Sequence, residues 1–263
     1  MQDEDRKDNE AMQNLPRGIA LSWGLEKEPQ RGPKRELSIR KIVDTAIQIA
    51  DKDGLSAVSM NRVAASLGYT AMSLYRYIPS KEDLLLLMQD AVCDIPIPPE
   101  EKDEDWKNGM REYVQACIQI LREHPWFFDI PITGEPYTPN ILQIVEWGLR
   151  IMRHCPLSDH EKMSIVLLLN SYARSWGGII RDIDKAVQAG SRSAAPSTSD
   201  IHNALKYLVT QEQFPQLYAM VKSGTYAGEN ESDDGSNDFE FGLERILDGI
   251  EYYLNQRQAE NGK

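Results

Sequence analysis

The chain has 263 residues, 41% hydrophobic and 27% charged, a composition that suits one large globular domain or two smaller ones. With 29 Lys and Arg against 41 Asp and Glu, the formal charge is −12, which at first sight argues against a polyanionic partner. The longest apolar runs, "LLLLM" (84–88) and "IVLLL" (165–169), are too short to span a bilayer, and the charged opening "MQDEDRKDNE" lacks the apolar core of a secretory signal.

Residues 1–30 are polar and broken by Pro16, Gly18, Gly24 and Pro29, so they predict a flexible N-terminal extension with a small docked turn at "ALSWGLE" (20–26). Next comes "RGPKRELSIRK" (31–41), with five positive charges and one negative. Residues 31–90 hold nine basic and seven acidic side chains, so the remainder of the chain carries −14. The acidity is thus remote from this segment, and phosphate contact is a local matter.

Four short helices are expected in 31–92. The first runs from Ser38 to Asp53, with Ile39, Ile42, Val43, Ala46, Ile49 and Ala50 on one stripe, and Gly54 ends it. Ser59 caps the second, which stops at Gly68. Thr70 caps the third, which Pro79 ends. Ser80 and Asp83 form a capping box that opens the fourth. "CDIPIPPEEKDED" (93–105) reads as a linker. Beyond it, helical periodicity falls at 104–124, 139–153, 159–189, 200–211 and 238–257, with no strand pattern. The fold class is therefore all-α: a helix-turn-helix domain at 31–92 and a larger helical domain at 93–263.

"VAASLGYTAMSLYRYI" (63–78) has the spacing of a helix-turn-helix. Ala64 is small where two helices cross, Gly68 tolerates positive φ at the turn, and Leu74 anchors the second helix. Leu74 and Ile78 point inward, leaving Met72, Ser73, Tyr75 and Arg76 outside and Ala71 at the tip. Such a face can touch bases and phosphates, and Lys81 adds a cation beside free helix N–H groups. An ordinary helical hairpin with a solvated face has the same spacing.

Residues 39–92 resemble the N-terminal domain of the Tet-repressor family of bacterial transcriptional regulators. "ADKDGLSAVSM" and "SLYRYIPSKEDLL" carry the likeness, the latter close to the family's LYxH-x-x-xK-x-xLL core. "REHPWFF" (122–128), "YTPNILQIVEWGLRIM" (137–152) and "FEFGLERILDGIEYYL" (239–254) look like the C-terminal domain of the tetracycline-repressor branch. The resemblance implies base readers at Asn61, Arg62, Ala71, Met72 and Tyr75. It implies phosphate or mixed contacts at Thr70, Ser73, Arg76, Tyr77 and Lys81. The basic arm, Arg31, Lys34 and Arg35, is expected in the minor groove. The implied partner is double-stranded, palindromic operator DNA, bound by a homodimer in the bacterial cytoplasm, nucleoid-associated when on DNA, and released by a small molecule.

Two C-terminal helices of the family pair with their mates. Here that places Arg174, Ile179, Ile183, Leu243, Ile246, Leu247, Ile250 and Leu254 at the dimer seam. Trp106, Trp126, Phe127, Phe128, Trp147, Tyr172 and Trp176 are expected either to line a ligand pocket or to form core. The positions matching the branch's metal-chelating histidines fall near Ile97 and Pro131, so neither magnesium nor any other cofactor is expected. Rival readings are a DNA-binding architectural regulator without a ligand and a small helical enzyme. For the enzyme, "HCPLSDH" (154–160) matches no helical metal motif. "NESDDGSNDFEF" (230–241) lacks the twelfth-position carboxylate of a calcium loop, and no G-x-S-x-G occurs. Cys93, Cys117 and Cys155 form no CxxC pair, which argues against a structural zinc site.

Overall fold

The computed structural model describes residues 15–26, 37–100, 105–131, 137–190, 198–227 and 236–261. Among them all regular structure is helical, as the periodicity predicts. The chain packs as two compact units, Met1–Gly177 and Gly178–Lys263. The first therefore holds the expected DNA-reading segment together with part of what the sequence assigned to one C-terminal domain.

The first unit begins with α1 (Arg17–Ser22), α2 (Ile39–Asp53) and a 3₁₀ turn (Leu55–Ala57). Then come α3 (Met60–Leu67), α4 (Ala71–Tyr75) and α5 (Lys81–Val92). Three starts are fixed by serine caps: Ser38 Oγ accepts from the Lys41 amide, Ser59 Oγ from Arg62 and Ser80 Oγ from Asp83. Thr70 departs from expectation. It sits at the N-cap of α4 in extended backbone, but its hydroxyl lies 3.1 Å from Ser73 Oγ and caps no amide. The group closes around Ile42, Val63, Leu74, Ile78, Leu84 and Met88, all fully buried. Each such side chain contributes roughly 1.5–3 kcal/mol through burial.

α6 (Trp106–Glu123), a 3₁₀ turn (Pro125–Asp129), α7 (Pro139–Ile151) and the start of α8 (Asp159–Gly190) complete this unit. Tyr113 is buried at their centre, edge-on to Trp147 at 5.4 Å, and its hydroxyl accepts from Asn170 Nδ2 at 2.8 Å. Burial pushes the Tyr113 phenol far up and the neighbouring Cys117 thiol to about 12, so both are neutral.

α1 is more than the docked turn expected from sequence. It packs on α5 so closely that a Cβ at Gly18 would lie 2.5 Å from Asp83 Oδ1. Arg17 and Glu26 form a two-pronged ion pair at 2.9 Å, and the Trp23 indole donates to the Tyr137 carbonyl at 2.8 Å.

The second unit contains the end of α8, α9 (Thr198–Leu208), α10 (Leu217–Lys222), a 3₁₀ turn (Thr225–Ala227) and α11 (Ser236–Asn261). The sequence pattern missed α10, which is only six residues long and follows Pro215. Leu243, Leu247, Ile250 and Leu254 turn the α11 stripe inward.

Candidate nucleic-acid interface

α3 and α4 meet at Gly68, whose φ of 77° and ψ of 24° lie in the left-handed region. Nothing lies within 4 Å of a Cβ placed there, so backbone conformation alone calls for glycine. The turn is tied by Tyr69 N–H to the Ala64 carbonyl at 2.8 Å. Ala64 is buried where the two helices cross.

α4 is only five residues long, and its orientation is set by two anchors. Leu74 and Ile78 are fully buried, and the Tyr77 and Ile78 amides both return to the Leu74 carbonyl. The outward side follows from that constraint: Met72 is 73% exposed and Tyr75 43%, with Arg76 exposed beside them. Asn61, Arg62 and Thr70 are also exposed, while Ala71, Ser73, Tyr77 and Lys81 are half-buried. Thus α3, α4 and the start of α5 offer amide, hydroxyl, thioether, phenol and cationic groups on rigid backbone. These are the groups that contact base edges and phosphates. Arg62 forms an ion pair with Asp53 at the end of α2. Arg31, Lys34 and Arg35 lie outside the described residues.

Two polar junctions join the α2–α5 group to the rest of the first unit, and the sequence signalled neither. At the end of α5, buried Asp90 accepts from the Asn140 amide at 2.9 Å and the Ile141 amide at 3.4 Å, capping α7 from a different helix. Asn140 Nδ2 returns a bond to the Asp90 carbonyl. Burial raises the Asp90 carboxyl above its ordinary range, partly offset by the hydrogen bonds from the Asn140 and Ile141 amides. At the end of α2, Asp51 Oδ1 accepts from Trp126 Nε1 at 2.6 Å and lies 2.8 Å from His124 Nδ1.

The junctions revise the expected ligand lining. The Trp126 indole N–H is committed to Asp51, and Trp147 is a core partner of Tyr113. Phe127 and Phe128 gather at Arg174, whose guanidinium lies 6.0 and 5.6 Å from their ring centres and donates to the Phe128 and Ile130 carbonyls. Arg174, assigned to the seam from sequence, is therefore engaged by its own chain. A Cβ at Gly177 would lie 2.8 Å from Phe128 Cζ, so α8 approaches this turn closely. Trp106, Tyr172 and Trp176 are half-buried.

The expected seam also divides. Leu243, Leu247, Ile250 and Leu254 are already buried within one chain, and Ile246 is half-buried. Their spacing reflects core packing. The exposed apolar residues are Met163, Leu167, Leu168, Ile179, Ile183 and Val187 on α8, and Phe241, Tyr252 and Tyr253 on α11. Among the described residues no helix is long and apolar enough to cross a membrane. His154, named above for the enzyme reading, accepts a hydrogen bond from Arg153 Nε at 2.8 Å.

Comparison with known proteins agrees with this geometry. Residues 42–88 match bacterial regulatory proteins of the tetR family, and residues 98–254 match the tetracyclin repressor-like C-terminal domain. The chain is 32% identical over 254 residues to the HTH-type transcriptional repressor DrrR1 of Streptomyces coeruleorubidus, covering 94% of this chain and 90% of that one. It superposes on apo ActR from Streptomyces coelicolor with a TM-score of 0.67 at 25% identity, covering 85% of this chain and 99% of that one. For ActR in complex with actinorhodin the TM-score is 0.68 at 27% identity, with 82% and 96% covered. The chain belongs to the tetR family of bacterial regulatory proteins and is a DNA-binding transcriptional regulator, not an enzyme.

Proposed function

We propose that this regulator is a repressor that binds a palindromic operator as a homodimer and leaves it when a small organic molecule occupies the helical core. The observation that carries the reading is α4: Met72, Tyr75 and Arg76 stand outward on a helix held by fully buried Leu74 and Ile78. Asn61, Arg62, Ala71, Met72 and Tyr75 read bases. Thr70, Ser73, Arg76, Tyr77 and Lys81 contact phosphates or share in base reading. The basic residues of 31–35 add minor-groove charge. Residues 31–92 act as the DNA-reading domain and 93–263 as the ligand and dimer domain, after the extension 1–30. The exposed Ile179 and Ile183 support a seam on α8.

Release by a ligand is supported by the likeness to ActR, whose structure with actinorhodin shows a relative carrying a small molecule. The aromatic groups near Arg174 are the lining we assign. Two dimer geometries, one fitted to DNA, account for release if the ligand favours the other. The reading places the protein in the bacterial cytoplasm, on the nucleoid when DNA-bound.

The test has three arms on the full chain: mass in solution, binding to duplexes that the protein selects from a random library, and a thermal-shift screen of small molecules. A repressor of this kind has dimer mass and selects a palindrome, and the compound that raises its melting temperature also lowers its DNA affinity. Palindrome binding with no compound that both stabilises the protein and releases DNA is the outcome expected of a constitutive DNA-binding regulator.

A further inference from the structure

The geometry points to Asp53 as a built-in competitor for a DNA-contacting arginine: its carboxylate holds Arg62 in the DNA-free protein, and Arg62 engages DNA by exchanging that carboxylate for a phosphate or base edge. This rests on reading α3 as part of the DNA-contacting surface.

Arg62 stands in the first turn of α3, and Asp53 is the last residue of α2. Arg62 Nη2 pairs with Asp53 Oδ2, and their side chains are 45% and 35% exposed. DNA approaching the exposed face of α3 therefore meets an arginine already neutralised by its own chain.

The two partners differ in freedom to move. Asp53 belongs to a pinned turn. Two residues earlier Asp51 receives the Trp126 indole and contacts His124, and Ala50, one turn before the end, is buried. Gly54 closes the helix at φ 82°, with its amide on the Ala50 carbonyl at 2.9 Å, and Val58 is fully buried beyond it. The backbone of Arg62 is also fixed, by the Ser59 cap and buried Val63, but its side chain is long and half-exposed. When DNA arrives, the guanidinium can swing and the carboxylate cannot follow.

Two consequences separate this arrangement from an ordinary surface ion pair. Freed Asp53 stays at the edge of the DNA surface, where it repels phosphates. Breaking the pair and leaving the carboxylate beside the phosphates costs affinity on every duplex for which Arg62 lets go, so Asp53 tempers affinity without adding to discrimination. The second consequence concerns salt. A cation that neutralises one phosphate releases a counterion and adds about 0.9 to the magnitude of the log–log salt slope. Freed Asp53 takes a cation back, so Arg62 adds almost nothing to the slope of the natural protein.

The experiment compares the natural chain with Asp53→Asn, Arg62→Gln and the double variant, with Asp53→Ser as a second neutral replacement. Binding to the selected palindrome and to a scrambled duplex of equal length is read by anisotropy across a range of KCl concentrations. Removing the charge at Asp53 is expected to tighten palindrome binding by about threefold to tenfold and scrambled-duplex binding by no more than that. The slope steepens by about 0.9 per bound protomer, and that steepening vanishes in the Arg62→Gln background, where Asp53 has no partner to release. If Arg62→Gln weakens binding while both neutral replacements keep the natural slope and affinity, Arg62 contacts DNA and Asp53 does not compete for it. A lower melting temperature with weaker binding to both duplexes would make Asp53 a structural support and overturn the proposal. If Arg62→Gln changes nothing, the assignment of α3 to DNA fails, and the competitor role fails with it.

Discussion

Helices α4 and α11 both carry apolar residues at helical spacing, yet they differ in where function lies. In α4 the buried pair, Leu74 and Ile78, is scaffold, and the exposed Met72 and Tyr75 form the face proposed to meet DNA. In α11 the buried stripe of Leu243, Leu247, Ile250 and Leu254 satisfies the chain's own core, leaving Phe241, Tyr252 and Tyr253 outside. Helical periodicity identifies a stripe that will be covered, but not whether the same chain or a second copy covers it. The same discipline applies to both helices: contacts with a partner belong to the side that the single chain leaves exposed.

Substitutions on opposite sides of these helices can break that comparison. The largest expected effect is Leu247→Ala on the covered side of α11. It should cost about 2–5 kcal/mol in chemical denaturation, because it opens a cavity at a fully buried site. A loss below about 0.5 kcal/mol would place this stripe outside the core. Tyr75→Ala, on the open side of α4, should weaken operator binding by about 1–3 kcal/mol while leaving the melting curve in place. Loss of folding instead would make Tyr75 scaffold, like Leu74. Ile183→Asp tests the exposed side of α8: dimer dissociation should become about tenfold or more easier, with the circular-dichroism spectrum unchanged. An unaltered sedimentation profile would move the seam elsewhere.

The smallest effect concerns Asp90, which ties the α4-bearing group to α7. Its carboxyl holds a proton more tightly folded than unfolded, where the ordinary value is 3.8. Such a group favours folding at acid pH, and its contribution is lost as pH rises from 3.8 through the folded-state value. Asp90→Asn retains an acceptor for the Asn140 and Ile141 amides without the charge. The stability of this variant relative to the natural chain should therefore rise across that window and then level off. A difference independent of pH would show that burial does not raise the Asp90 carboxyl above its ordinary range.

Much of the first unit was legible from local chemistry. Ser38, Ser59 and Ser80 mark helix starts because a serine hydroxyl can reach an amide a few residues away. Gly68 marks the turn because few other residues adopt its backbone conformation. The Leu74 and Ile78 spacing then places Met72, Tyr75 and Arg76 outside. Thr70 resembled a cap, but its hydroxyl has a second partner within reach in Ser73, and neither propensity nor position decides between them.

The long-range contacts were not legible. Asp51 is one of several acids near a helix end, and only folding brings Trp126 and His124, more than 70 residues away, to its carboxylate. Asp90 reads as a surface residue of a leucine-rich helix until α7 places its first amides above it. Gly18 reads as a breaker, although its missing side chain is what lets α1 lie against Asp83.

By itself the sequence determined that this chain is all-helical, where the helices proposed to read DNA begin and turn, and which side of α4 faces outward. Caps, turns and helical spacing act within a few residues, so they survive in a one-dimensional reading. Tertiary structure decided which aromatic groups join the α2–α5 group to the rest of its unit, which stripe of α11 its own chain buries, and that Arg62 is held by Asp53. These depend on which distant side chains meet, and on which hydrogen-bonding groups remain for them once local partners are satisfied.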